Sequence, residues 1–168
     1  MLKKITLIIT VLLALIFALY FLLAPKVTEA PQGEVKIDVQ NNDKRPWILI
    51  NDKKLYVEIA ATDEKRALGL SNRQSIKKNE AMLFVFGKKI IPSFWMNEMK
   101  FALDFIWIAD NTVIGATENI SPPAADKPLE TYEPPAPVNY VLEVNAGWVE
   151  ENFTERKIEN QTIELNIL

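Results

Sequence analysis

The chain has 168 residues, a formal charge of −3, and neither cysteine nor histidine. Those absences exclude thiol nucleophiles, disulfides, thiolate or imidazole metal sites, haem attachment, and Ser-His-Asp or Cys-His catalysis, leaving carboxylates, Lys, Tyr, hydroxyls and backbone groups for chemistry. Lys3, Lys4 and Lys26 are the only charged residues before Val27, so residues 27–168 carry −6, a balance that opposes nucleic acid and anionic headgroups.

In chain order, Ile5 to Ala24 reads ITLIITVLLALIFALYFLLA, twenty uncharged residues. At about 1.5 Å per residue this crosses about 30 Å of hydrocarbon. A secretory signal has a shorter apolar stretch of about 7–15 residues and a small-x-small cleavage site. Thr28-Glu29-Ala30, followed by Pro31, fits that site poorly, so an uncleaved anchor is preferred over a cleaved signal. No cysteine is present to take a lipid. Lys3 and Lys4 precede the span, which keeps residues 1–4 cytoplasmic and sends the remainder outward. Residues 25–43, with Pro25, Pro31 and Gly33, read as a tether. Residues 44–168 remain for one ordinary domain with enough apolar material for a core.

Alternation governs that domain. WILI (47–50), a turn at Asn51-Asp52 and KKLYVEIA (53–60) predict two strands, with Leu55, Val57 and Ile59 on one face. Thr62 or Asp63 can cap a short helix ending at Gly69, and Ser71 to Gln74 has capping-box spacing for a second helical turn. Strands are expected at AMLFVF (81–86), SFWMNEM (93–99) and LDFIWIA (103–109). Asp110-Asn111 tolerates positive φ, so the last of these pairs with TVIGATE as a tight hairpin. Six prolines between Ser121 and Asn139 (122, 123, 128, 134, 135 and 137) mark an irregular excursion, of a length that is often functional. NYVLEVNAG returns as a strand, GWVEENF starts a short helix at Gly147, and QTIELNIL closes the domain. No internal repeat is present. The fold class is mainly β: a single-domain sandwich or partly open barrel of about eight strands with two or three short helical turns, preceded by one transmembrane helix.

The blocks FWMNEM, LDFIWIAD and YVLEVNAG resemble the exported, uncharacterised family known as domain of unknown function 192. The resemblance runs from about Leu55 to Leu168 and keeps the family's order: Ala60, Thr62, Glu64, Arg66, Gly69, Leu70; Arg73; Met82, Leu83, Phe84; Phe94, Trp95, Met96; Leu103, Asp104; Leu142, Glu143, Ala146, Gly147. It implies a compact, mostly β fold in exported or anchored proteins and no agreed activity. Ser71 stands where Met is usual, Ala81 where Gly is usual, Asn97-Glu98-Met99 replaces Lys-Asn-Thr, and Asn160-Gln161 replaces Gly-Asp. The change at 97–99 removes a positive charge and an amide beside Trp95 and Met96.

Asp104 is the sharpest chemical candidate, because alternation sets it in a strand apolar on both faces, where an unpaired carboxylate costs several kcal/mol. Arg66 and Arg73 are its expected partners, and an internal ion pair or backbone clamp is favoured over a catalytic role. Glu143 repeats the pattern in YVLEVNAG, sharing a face with Val141 and Asn145; a satisfied structural carboxylate is favoured there, with a solvated one as the alternative. If the two approach each other, separations of about 5–5.5 or 6.5–9.5 Å suit retaining or inverting glycoside hydrolysis. Phe94, Trp95, Phe101, Phe105 and Trp107 read as core, with an outward Trp95 stacking on a sugar or peptide as the alternative. Met82, Met96 and Met99 lack the co-ligands for a soft metal, and no Ca²⁺ loop is present; no metal or cofactor is expected. The candidate ligand-binding set is Arg66, Arg73, Trp95, Met96, Asp104 and Glu143, with Asp104 and Glu143 as the candidate catalytic pair. The resulting expectation is a non-enzymatic, membrane-anchored binding or accessory module of the cell envelope. It would meet a glycan, peptide or protein through the 121–139 excursion and a pocket beside Trp95, Arg66 and Arg73. The rival is a carboxylate-dependent hydrolase of an envelope glycan.

Overall fold

A computed structural model describes residues 44–153 and 157–167. The segments 1–4, 5–24 and 25–43 lie outside the described residues, and no helix among the described residues is long and apolar enough to cross a membrane. Among the described residues nine strands form: β1 (Trp47–Ile50), β2 (Lys53–Ala60), β3 (Glu80–Ile90), β4 (Phe94–Trp95), β5 (Leu103–Ala109), β6 (Thr112–Ile120), β7 (Thr131–Tyr132), β8 (Val138–Asn145) and β9 (Ile163–Asn166). The described residues also form two short helices, α1 (Asp63–Leu68) and α2 (Trp148–Asn152).

Seven strands make one sheet in the order β6-β5-β8-β3-β2-β1-β9, while β4 and β7 pair separately. Its two end strands meet at one corner. Thr112 bridges Thr162, the Val113 amide donates to the Gln161 carbonyl, and the Asn160 amide donates to the Val113 carbonyl. The sheet is therefore curled into a half-barrel with its edges tied together where they meet, the partly open alternative of the sequence reading.

Both faces of the central strands are buried, and parity decides which residue goes where. Ala81 and Leu83 of β3, Ile106 and Ile108 of β5, and Leu142 and Val144 of β8 point into the half-barrel with Ile48, Val113 and Val149. Met82, Phe84, Leu103, Phe105, Trp107 and Val141 point the other way, beneath Phe94, Met96 and Met99. Aromatic edges lock this second layer: the Phe94 ring lies 4.8 Å from Phe84, 5.5 Å from Phe105 and 5.8 Å from Trp107. The proline-rich excursion covers part of it through Tyr132, 5.9 Å from Phe105.

The turns follow their local sequence signals. Asn51 and Asp52 both take positive φ, as does Asp110 between β5 and β6. Thr62 Oγ1 caps α1 by accepting from the Lys65 amide at 3.3 Å.

Two expectations need correction. Ser71 to Gln74 forms no helix, because the Ser71 hydroxyl donates to the Asn97 carbonyl at 3.0 Å and Asn72 sits at φ 64. The strand expected over 93–99 shrinks to Phe94–Trp95, since Glu98 turns at φ 56. Strands β2 and β3 pair in parallel, joined by the α1 crossover.

Candidate functional site

A cavity of about 260 Å³ opens where α1 crosses the second face of the sheet. Arg66, Leu68, Gly69 and Leu70 form one wall, Phe84 and Phe86 of β3 another, and Pro92 to Trp95 with Met99 the third; Glu143 of β8 also lines it. The helix has no buried residue. Its Leu68 is left 58% exposed and Trp95 44% exposed, so two large apolar side chains stand at the mouth of an aromatic-lined hollow. Gly69 ends the helix at φ +50, and a Cβ there would lie 3.4 Å from Phe84 Cζ. A side chain at this position would be strained and would crowd the pocket wall.

Glu143, expected to be either satisfied or solvated, is neither: it is 5% exposed. Its Cα neighbours across the ladders are Met82 and Phe105, both apolar, and its Oε2 is buried with no hydrogen-bond partner. Burial alone pushes its carboxyl up to about 8 from the ordinary 4.5, because no neighbouring donor or cation offsets the loss of water. The pocket's other charged side chains are Asp63 and Arg66. They are spent on each other and on the backbone: the Arg66 guanidinium donates to Asp63 Oδ1, to the Ala61 carbonyl at 2.7 Å and to the Val85 carbonyl at 2.9 Å. It also lies over the Phe86 ring, 5.4 Å from the centroid.

The remaining candidates lie elsewhere. Asp104 is fully buried but takes no arginine partner. Its Oδ1 accepts from the Asn119 amide at 2.7 Å and the Gly147 amide at 3.3 Å, and its Oδ2 from the Val149 amide at 3.0 Å. Three amides thus replace the expected Arg66 and Arg73, and the carboxylate clamps the start of α2 and the end of β6 to β5. Arg73 pairs with Glu58 at 2.8 Å and lines a different hollow with Tyr56 and Glu80. Met96, 2% exposed, borders a third hollow under the proline-rich excursion.

Asp104 and Glu143 also fail to form a pair. Asp104 is opposite Val144, and Glu143 opposite Phe105. Adjacent registers put the two side chains on opposite faces of the sheet, so the two-carboxylate hydrolase geometry does not arise. Of the six ligand candidates, the structure brings together Arg66, Trp95 and Glu143. Leu68, Phe86 and Met99 were missed. Leu68 had an available signal, as an apolar residue in a helix too short to bury it.

A half-barrel with an apolar pocket over one buried, unpaired acid on its covered face defines a β-rich domain built around a small concave site. The chain belongs to the domain of unknown function 192 family (DUF192, uncharacterized ACR), matched over residues 47–158. Two solved structures are similar. One is a protein of Sinorhizobium meliloti 1021 proposed as a transcription regulator, 28% identical over 72% of this chain and 92% of that chain, with a TM-score of 0.62. The other is a protein of unknown function from Novosphingobium aromaticivorans DSM 12444, 24% identical over 71% of this chain and 82% of that chain, with a TM-score of 0.58; it supports the fold alone. No curated protein matches the chain.

Proposed function

We propose that this chain is a non-enzymatic, membrane-anchored binding module of the cell envelope, with its β domain on the extracytoplasmic side and the pocket over Glu143 as its ligand seat. The observation that carries the binding reading is the pairing of a buried, unpartnered carboxyl with an open apolar mouth at Trp95 and Leu68. Folding leaves such a group unsatisfied at a cost of about 1–3 kcal/mol, and apolar pockets with a few convergent polar groups are where small ligands bind. Support for the anchor comes from the twenty uncharged residues of Ile5 to Ala24 and the lysines before them. The regulator description of the Sinorhizobium protein is not carried over, because residues 27–168 at −6 would meet the phosphate backbone with like charge.

Fractionation of cells expressing the full-length chain with a C-terminal tag tests the location. The intact polypeptide is expected in the carbonate-washed membrane pellet, with its tag cleaved by protease added outside. Recovery of the whole chain in the detergent-free soluble fraction would overturn the anchor.

A further inference from the structure

We propose that the pocket takes a small organic cation, a primary ammonium on a short apolar arm, with the Glu143 carboxylate as its counter-charge. The inference rests on the reading of this pocket as the ligand seat and specifies what enters it.

Three observations carry it. The first is the orphan acceptor: Glu143 Oε2 is buried in the cavity lining without a partner, and a charge-assisted hydrogen bond from an ammonium is roughly twice as strong as one between neutral groups. The second is the state of the other charges. Arg66 is held by Asp63 and by the carbonyls of Ala61 and Val85, so the pocket's own cation is committed elsewhere and does not bond the Glu143 carboxyl. The third is the lining. Phe84, Phe86, Phe94 and Trp95 border the space, aromatic rings favour a cation near their faces, and the −6 of residues 27–168 draws positive ligands inward. A cavity of about 260 Å³ compares with the roughly 150 Å³ that suffices for benzene, leaving room for one ring with a methylammonium arm.

Entry of the cation changes the protonation of the site. The free pocket holds Glu143 as the neutral acid at pH 7, raised to about 8 by desolvation. The charged groups lining the pocket besides it are Asp63 and Arg66, both on α1, and each already has the other as partner. Binding an ammonium ionises the carboxyl and sends its proton to solvent, so affinity rises with pH from 6 to 8 and each binding event at pH 7 releases close to one proton.

Benzylammonium, benzyl alcohol and benzoate are the probes, titrated into the full-length, detergent-solubilised protein by calorimetry, with empty micelles as blank. Two buffers of different ionisation enthalpy report the proton count, and amide NMR shifts of Leu68, Gly69 and Phe84 report the place. The expected result is benzylammonium bound at least about tenfold more tightly than benzyl alcohol at pH 8, with proton release. In Glu143→Gln both the preference and the proton release are lost. Equal or tighter binding of benzyl alcohol or benzoate at the same residues would overturn the cation and leave the ligand seat standing. Pocket amides that move for none of the three probes would overturn both.

Discussion

Replacing Glu143 by glutamine removes one titratable proton from the apolar face of the sheet while keeping the side chain's shape. In the folded wild type the carboxyl titrates near 8, against 4.5 for an ordinary glutamate. Between those values the folded state holds a proton that the unfolded chain releases. Stability attached to this group is therefore complete below pH 4.5, declines as pH rises toward 8, and is flat above it. Each pH unit is worth about 1.4 kcal/mol, so the full span of about 3.5 units between the two values amounts to about 5 kcal/mol.

The glutamine variant has no such term. Glu64, held low by a backbone hydrogen bond, and Glu80, held low by Lys77, titrate alike in both proteins and cancel in the difference. Urea denaturation followed by tryptophan fluorescence at intervals from pH 5 to 9 gives that difference directly. The stability of Glu143→Gln relative to wild type should climb by about 1.4 kcal/mol per unit up to pH 8 and then level off. Near pH 8 this corresponds to a higher Tm, by on the order of ten degrees, for a domain of this size. Parallel stability curves across the whole range would show that Glu143 ionises freely in the folded protein, and the buried-acid reading of the pocket would fall with it.

Two further substitutions follow from the same geometry. Asp104→Asn turns an acceptor oxygen into an amide donor facing the Val149 amide or its Asn119 and Gly147 neighbours; a loss of about 2–4 kcal/mol is expected by urea denaturation, with benzylammonium affinity unchanged once the domain is folded. Gly69→Ala must hold a β-carbon at φ +50 against Phe84, and should lower stability by about 1–2 kcal/mol and weaken probe binding at the wall it distorts; unchanged Tm and affinity together would show that α1 ends in a different conformation.

Much of the scaffold is legible along the chain because its signals are local. Thr62, Gly69, Asn51-Asp52 and Asp110 act within a few residues of themselves, and they set the cap, the helix end and two hairpin turns. Alternation likewise found β1, β2, β5, β6 and β8. It failed at 93–99, where apolar spacing continues but Glu98 turns the backbone at φ 56 and only Phe94–Trp95 finds a strand partner, Thr131–Tyr132 from the far excursion. A capping-box pattern at Ser71 failed for a similar reason, since its hydroxyl is taken by Asn97, twenty-six residues away.

The candidate site divides along the same line. That Asp104 sits in a strand apolar on both faces is visible in the sequence, and so is the need to satisfy its carboxylate; Glu143, on a face with Val141 and Asn145, reads equally as solvated until the fold buries it. Which one finds partners is a matter of register. The β5–β8 ladder sets Asp104 opposite Val144 and Glu143 opposite Phe105, turning one toward the backbone amides at the start of α2 and the other into an apolar pocket with none. Local sequence thus determined most of the elements, their turns and the burial of Asp104. Only the tertiary pairing, which brings residues some forty positions apart to one place, decided that Asp104 is a clamp and Glu143 an unpaired acid, because a hydrogen-bond donor contributed from a distant strand or helix leaves no mark in the residues beside the acceptor.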